Sequence, residues 1–532
     1  MLPGHLMEYP YPSARRVMMG KRGAVATSQP LAAIAGMEIL QAGGNAVDAA
    51  IAMAIALTVV EPCANGIGGD AFALVWDGQL HGINGSGKSP QGLSVKKFEG
   101  CDRVPSYGWL PVTVPGAVSA WRATSDRWGK LPFERLFSPA IRHAEEGFPV
   151  SPVLAQAWKV AESIYLPLKG AEFEGFKQTF FPDNRAPYPG EVWGSAAHAD
   201  TLREIAQTGG ESVYHGKLAD RIASFAAATG GFLTKADLEA HEALEVAAIA
   251  TDYRDVTVWE MPPNTQGLAT LMALNILERF DLSQYPHQSG ERYHLQIEAM
   301  KLACADLHRY TADPAFMEVS VDRLLGKDYA RDRTRGICER AIALAEPGFP
   351  KGGTVYLAAA DGELMVSFIQ SNYMGFGSGI LIPETGISLH DRGCGFTLEP
   401  GHPNQFAPGK RPFHTIIPGF LTKGDRPWGP FGVMGGPMQP QGHLQVVSNL
   451  VDYHLNPQAA IDAPRWHFVR GNRVLLEPSV PESVVDDLRD RAHEVRVSNR
   501  EHLFGRGQII LKENGVFFAG SEPRTDGMAI AF

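Results

Sequence analysis

The run Ala345-Glu-Pro-Gly-Phe-Pro-Lys-Gly-Gly353, followed at once by Thr354-Val-Tyr-Leu-Ala-Ala-Ala-Asp-Gly362, decides how this chain is organised. Its first part, rich in proline and glycine, can continue neither a helix nor a strand interior. From Thr354 the pattern changes to β-prone residues on both sides of Asp361-Gly362, as far as Gln370, which is a strong short-range hairpin signal. Two readings follow. The joint is a loop between domains, or it is a processing site whose cut frees a threonine at the start of a strand. Glycine at 352 and 353 tolerates the bent backbone that such a cut demands.

Working outward, two more hairpins are predicted, at 71–83 around Asp77-Gly78 and at 508–519 around Asn514-Gly515. Upstream, Ser28 and Pro30 open a helix that Gly43-Gly44 ends. Asn45 then caps a second helix, 46–60, which is apolar or small nearly all round and so belongs inside a large core. Helical patterning returns at 266–279 and 293–310. Helices and antiparallel hairpins mixed along the chain argue for an α+β layered fold.

Gly 57 and Pro 38 in 532 residues make about 18%, against about 12% in average proteins, which indicates an ordered, turn-rich chain. A formal charge of −10 disfavours bulk attraction to nucleic acid or an anionic membrane. No window of 18 apolar residues suggests a membrane span, and the N-terminus lacks the apolar core of a signal peptide. Five scattered cysteines form neither a disulfide framework nor a metal knuckle. The expected location is the cytoplasm.

Gly82-Ile-Asn-Gly-Ser-Gly87-Lys88-Ser89 fits the phosphate-binding loop pattern. Its context argues against a nucleotide triphosphatase: the preceding strand is the second arm of a hairpin, and Pro90-Gln-Gly is a poor helix start. Gly66-Ile-Gly-Gly-Asp-Ala71 fits a dinucleotide fingerprint, yet it follows a helix and precedes a strand, the reverse of the required order. His390, Asp391, Arg392 and His402 lie close in sequence, and a polar loop accounts for most of them.

The run Gly43-Gly44-Asn45-Ala46-Val47-Asp48-Ala49-Ala50 resembles the γ-glutamyltransferase (glutathione hydrolase) family. So do Val114-Pro115-Gly116, Gly230-Gly-Phe-Leu-Thr234, Gly375-Phe-Gly-Ser-Gly379, Pro408-Gly-Lys-Arg-Pro412, Gly435-Gly436 and Glu522-Pro523-Arg524, in the family's order. The resemblance implies an αββα four-layer sandwich of the N-terminal-nucleophile hydrolase type. It implies a precursor that cuts itself between Gly353 and Thr354 into a large subunit (1–353) and a small one (354–532) that stay interlocked, with a dimer of such pairs a further expectation. Thr354 would be the nucleophile. Gly435 and Gly436 would form the oxyanion hole, and Asn372 would orient the amine or the substrate. No metal or organic cofactor is implied.

Three departures lie in the acyl pocket. Where relatives that hydrolyse glutathione hold the substrate α-carboxylate with an arginine, this chain has Ser86. Where they hold the α-amino group with an aspartate, it has Gly395. A Ser-Ser pair becomes His414-Thr415, and a threonine near the nucleophile becomes Gln370. What remains is a new cation, Arg392, with His414 nearby in the family layout. This set is similar to the branch containing oxamate amidohydrolases and glutathione-hydrolase-like proteins. The expected substrate is a small carboxylate-bearing amide, oxamate being the best single guess. Glutathione hydrolysis or γ-glutamyl transfer, and cephalosporin (glutaryl) acylase activity, are the alternatives.

Overall fold

The computed structural model describes residues 14–342 and 353–532. The N-terminal stretch 1–13, Gly352 and the rest of the 345–353 joint up to Gly353 lie outside the described residues. Two seven-stranded sheets form the centre. In chain order their strands are β1 (Met18–Gly20), β2 (Gly23–Thr27), β3 (Asp70–Trp76), β4 (Leu80–Asn84), β5 (Leu244–Val246), β6 (Ile249–Tyr253) and β7 (Val256–Glu260). After the joint come β8 (Gly353–Asp361), β9 (Leu364–Tyr373), β10 (Gly419–Lys423), β11 (Arg426–Met434), β12 (Arg506–Glu513), β13 (Val516–Ser521) and β14 (Met528–Ala531). The first sheet runs β14-β2-β8-β9-β3-β4-β5 and the second β1-β13-β12-β11-β10-β7-β6. Strands from either side of residue 354 therefore share both sheets.

The period-2 alternation of β8 shows how the layers stack. Val355, Leu357 and Ala359 pack with the helices α1 (Pro30–Gln41), α2 (Ala46–Val60) and α3 (Ala117–Trp128) on one face. Tyr356, Ala358 and Ala360 enter a second core with Phe420, Met434 and Ile510 of the other sheet. A third core joins that sheet's outer face to α4 (Gly267–Leu277), α5 (Gly290–Tyr310) and α6 (Met438–Val451). Helices, sheet, sheet, helices: the αββα order is that of N-terminal-nucleophile hydrolases, as expected.

All three hairpins are present, turning at the expected Asp-Gly and Asn-Gly pairs. Asn45 caps α2 in a reciprocal box with Asp48, and every residue of α2 is buried. One cap differs: Gln29, not Ser28, accepts from the first N–H groups of α1, because the Ser28 hydroxyl donates to Glu61. The phosphate-loop pattern is closed off by packing. A Cβ on Gly87 would lie 1.7 Å from the Val114 carbonyl oxygen, and only a four-residue 3-10 turn, Val95–Phe98, follows. Among the described residues no helix is long and apolar enough to cross a membrane, and all five cysteines are free.

Candidate active site

Thr354, the second residue of β8, sits where the β8–β9 register shifts between Gly353 and Val355. It is buried, and its hydroxyl lies between Ser371 and Gln439. Thr354 Oγ1 lies 3.4 Å from Ser371 Oγ on β9 and accepts from Gln439 Nε2 at 3.5 Å. Ser371 Oγ in turn accepts from the Tyr373 N–H at 2.7 Å and from Arg392 Nη2 at 3.1 Å. Tyr373 holds a positive φ of 79°, an uncommon backbone for a bulky residue, and lays its ring 4.1 Å from the Arg392 guanidinium. The other fork of Arg392, Nη1, donates to Thr415 Oγ1 at 2.9 Å.

Arg392 is wholly buried. Among the described residues no carboxylate comes within ion-pair distance of it, and its Nε has no hydrogen-bond partner. Asp70 and Asp391, the acids nearest in charge, compensate only in part at neutral pH. Burial pushes the Asp70 carboxyl up to about 7, against the pull of Arg392, and pushes Asp391 up to about 8. Burial and the same guanidinium hold His390 down to about 3 and keep His414 well below the usual imidazole range. Desolvation lowers Arg392 itself to about 10, which still leaves it cationic at neutral pH.

Opposite the threonine, β11 ends and Gly435-Gly436-Pro437 leads into α6. Gly436 has φ 60°, a left-handed conformation that suits only glycine well. Its carbonyl accepts from Gln266 Nε2 at 2.8 Å, and the same amide reaches the Thr415 carbonyl. The start of α6 has no side-chain cap; the Met438 and Gln439 N–H groups donate instead to the Gly435 and Gly436 carbonyls, at 3.2 and 3.1 Å.

The sequence-derived site is thus partly assembled. Thr354, Arg392, Thr415 and the Gly435-Gly436 turn come together. His414 lies one layer back: its Nε2 is 3.1 Å from Asp70 Oδ2. Ser86 is buried in an amide network, its hydroxyl donating to Asn84 Oδ1 at 2.7 Å, with Asn264 beside it. Gln370 needs correction. It points from β9 toward the helices, accepting from Trp121 Nε1 at 3.1 Å and donating to Asn65 and the Ala54 carbonyl. Asn372 shares that face and donates to the Phe376 carbonyl at 3.3 Å. His390, Asp391 and Arg392 are not a surface loop either, since all three are 0% exposed.

Sequence reasoning missed Ser371, Gln439, Asp70 and Tyr373. Ser371 was accessible through strand alternation, because it shares the 365, 367, 369 face that packs toward the second sheet. A further group, His294, Glu298 and His493, has metal-ligand chemistry. The Lys301 ammonium already sits there, 2.8 Å from Glu298 Oε1, so the carboxylate faces a cation of the protein's own.

Comparison with known proteins agrees with this architecture. Residues 32–532 match the Gamma-glutamyltranspeptidase family. The chain is 36% identical to the glutathione hydrolase-like YwrD proenzyme of Bacillus subtilis, over 96% of this chain and 99% of that one. It is 34% identical to the oxamate amidohydrolase proenzyme of Klebsiella pneumoniae, over 94% and 97%. Among solved structures, the cephalosporin acylase from Bacillus halodurans is 53% identical with a TM-score of 0.96, covering 100% of this chain and 99% of the other. A match across nearly the whole length, on a sandwich with a threonine at the start of a central strand, leads to one assignment: this chain belongs to the gamma-glutamyltranspeptidase family and is a hydrolase of the N-terminal-nucleophile type.

Proposed function

We propose that the chain cuts itself between Gly353 and Thr354 and then hydrolyses a small amide whose acyl part carries a carboxylate, with oxamate, giving oxalate and ammonia, the best single candidate. Arg392 carries this reading. A buried cation without a counter-ion is costly, and a substrate carboxylate would supply the missing charge. Only the Ser371 hydroxyl separates the guanidinium from Thr354 Oγ1. That spacing suits a carboxylate one bond from the reacting carbonyl better than one several methylenes away.

In the precursor, Thr354 Oγ1 attacks the Gly353 carbonyl carbon, the acyl group moves from N to O, and water cleaves the ester. This frees an α-amine with an ordinary pKa of about 7.7–8.0, suited to act as a base near neutral pH. In turnover the amine takes the hydroxyl proton as Oγ1 bonds to the substrate carbonyl carbon. The carbonyl electron pair moves to oxygen, where the N–H groups at the Gly435-Gly436 turn face it. Collapse breaks the C–N bond, the leaving nitrogen takes the proton from the amine, and water then resolves the acyl-enzyme. The products 1–353 and 354–532 remain interlocked, because both sheets draw strands from each.

A γ-glutamyl substrate fits less well. A Cβ on Gly395, the expected place of the α-ammonium clamp, would lie 2.1 Å from the Phe413 carbonyl oxygen. The likeness to a cephalosporin acylase favours a second reading, a longer diacid amide held by the same arginine. Intact-mass analysis is expected to show two fragments, one beginning at Thr354, and a single inactive chain for Thr354→Ala. A full-length, active wild type overturns the mechanism. Ammonia release from oxamate, measured beside hydrolysis of a glutaryl amide and a γ-glutamyl anilide, decides the substrate. Preferred cleavage of the anilide with transfer to a dipeptide overturns the short-diacid assignment.

A further inference from the structure

Gln439, in the first turn of α6, is fully buried, and its side chain touches two groups. Its Oε1 accepts from the Ile417 N–H at 2.9 Å, and its Nε2 reaches Thr354 Oγ1 at 3.5 Å. A backbone N–H can only donate, so the oxygen end of this amide must face Ile417 and the NH2 end must face the threonine. The side chain is therefore a fixed donor aimed at the attacking oxygen, on the helix whose start carries the Gly435-Gly436 turn. The backbone supports this placement: the Gln439 N–H donates to the Gly436 carbonyl at 3.1 Å, so glutamine and turn move as one unit.

We propose that Gln439 is a catalytic residue acting on Oγ1 of Thr354 rather than on the substrate. This rests on Thr354 being the nucleophile. A donor on Oγ1 occupies one lone pair and directs the other toward the acyl carbon, while the hydroxyl proton is left for the base. The larger effect comes in deacylation. There the α-amine takes a proton from water as it adds to the ester carbon, the C–Oγ1 bond breaks, and its electron pair returns to Oγ1, which regains that proton from the α-ammonium. An N–H already pointing at Oγ1 stabilises the charge that develops on this leaving oxygen, as an oxyanion donor does for the carbonyl oxygen. In the precursor the same donor would act on the ester formed by the N-to-O shift.

Gln439→Glu tests this with a change of one atom type. It keeps the acceptor for Ile417 and, when ionised, removes the donor. Self-cleavage, followed on a denaturing gel, and kcat for amide hydrolysis are both expected to fall about ten- to a hundredfold at pH 8, with KM little changed. Burial holds a glutamic acid protonated to higher pH than usual, so the deficit relative to wild type should shrink as pH is lowered and the carboxyl regains an O–H donor. Gln439→Met, which has no donor at any pH, should show a deficit independent of pH. If the glutamate variant does not fold, Gln439→Asn, a neutral amide too short to reach Oγ1, takes its place, with the same fall in kcat expected. Wild-type cleavage and kcat in these variants overturn the proposal, as does a rise in KM at unchanged kcat. Thr354→Ala separates this from failure of the underlying reading: a cleaved, active Thr354→Ala protein removes the nucleophile itself, whereas an inert one beside a normal Gln439→Glu removes only the glutamine's role.

Discussion

Two clusters of buried arginine in this molecule solve the same electrostatic problem in opposite ways. Arg465 and Arg524 sit behind the Gly435 turn and bring their own counter-ions. Arg465 Nη2 pairs with Glu522 Oε2 at 2.8 Å, while Arg524 pairs with Glu522 and Glu477, each at 2.6 Å. Remaining donors are used as well, Arg465 Nη1 bonding the Phe504 and Gly505 carbonyls at 3.0 and 2.9 Å. Two cations meet two carboxylates, and the network closes. Arg392 is equally buried, yet it meets only hydroxyls and a ring. A closed network holds backbone in place, whereas an open one is poised for an anion from outside.

The largest effect expected from this contrast is on stability. Glu522→Gln leaves Arg465 and Arg524 sharing one carboxylate, and breaking a buried pair from one side typically costs about 3–5 kcal/mol. Denaturant unfolding should show a loss of that size. Because Gly505 backs Gly435, where an added Cβ would lie 3.1 Å from the Gly505 Cα, kcat should fall too. Arg392→Leu should instead leave stability nearly unchanged, since it removes a cation that has no ion-pair partner among the described residues. If it destabilises as much as Glu522→Gln, the contrast fails.

The next effect is on recognition. Removing one partner of a buried charged contact costs about 2–5 kcal/mol of binding. Arg392→Leu should therefore raise KM for a carboxylate-bearing amide by about thirtyfold or more, while a neutral amide of similar size changes little. Equal losses for both substrates would mean that Arg392 shapes the pocket without binding the anion.

How much of this was legible in the sequence depends on the range of the interactions. The capped α2, the three hairpins and the threonine after the glycines are written within a few residues, and they were readable. Gln370 misled because nearness to the nucleophile in the family pattern said nothing about face. Strand alternation sends it toward Trp121 and leaves Ser371 on the nucleophile's side. His390-Asp391-Arg392 looks like a solvated loop, since the groups that enclose it, Asp70, Tyr373 and Thr415, come from other parts of the chain. Gln439 lies 85 residues from Thr354, and only the meeting of the two sheets brings them together.

The smallest effect expected is in the pH dependence, and its sign separates the two clusters. The arginines beside Glu522 overcome its desolvation and hold its carboxyl below the usual range. Its contribution to stability is therefore complete above the unfolded value near 4.5 and is lost as pH falls through the lower folded value. Asp70 behaves oppositely. Desolvation dominates and raises it from 3.8 to about 7, so the folded protein keeps a proton that the unfolded chain releases. Its contribution is complete below pH 3.8 and is lost as pH rises toward 7. Asp391, His390 and His414 titrate in the same pocket, so the difference between wild type and Asp70→Asn isolates the aspartate's part. That difference in melting temperature should move against the wild type between pH 4 and 7, whereas the difference for Glu522→Gln should stay flat above pH 4.5 and close only below it. A flat Asp70→Asn difference would mean that Asp70 is ionised across the range. Arg392 would then have a counter-ion within the fold, and the site would be closed before any substrate arrived.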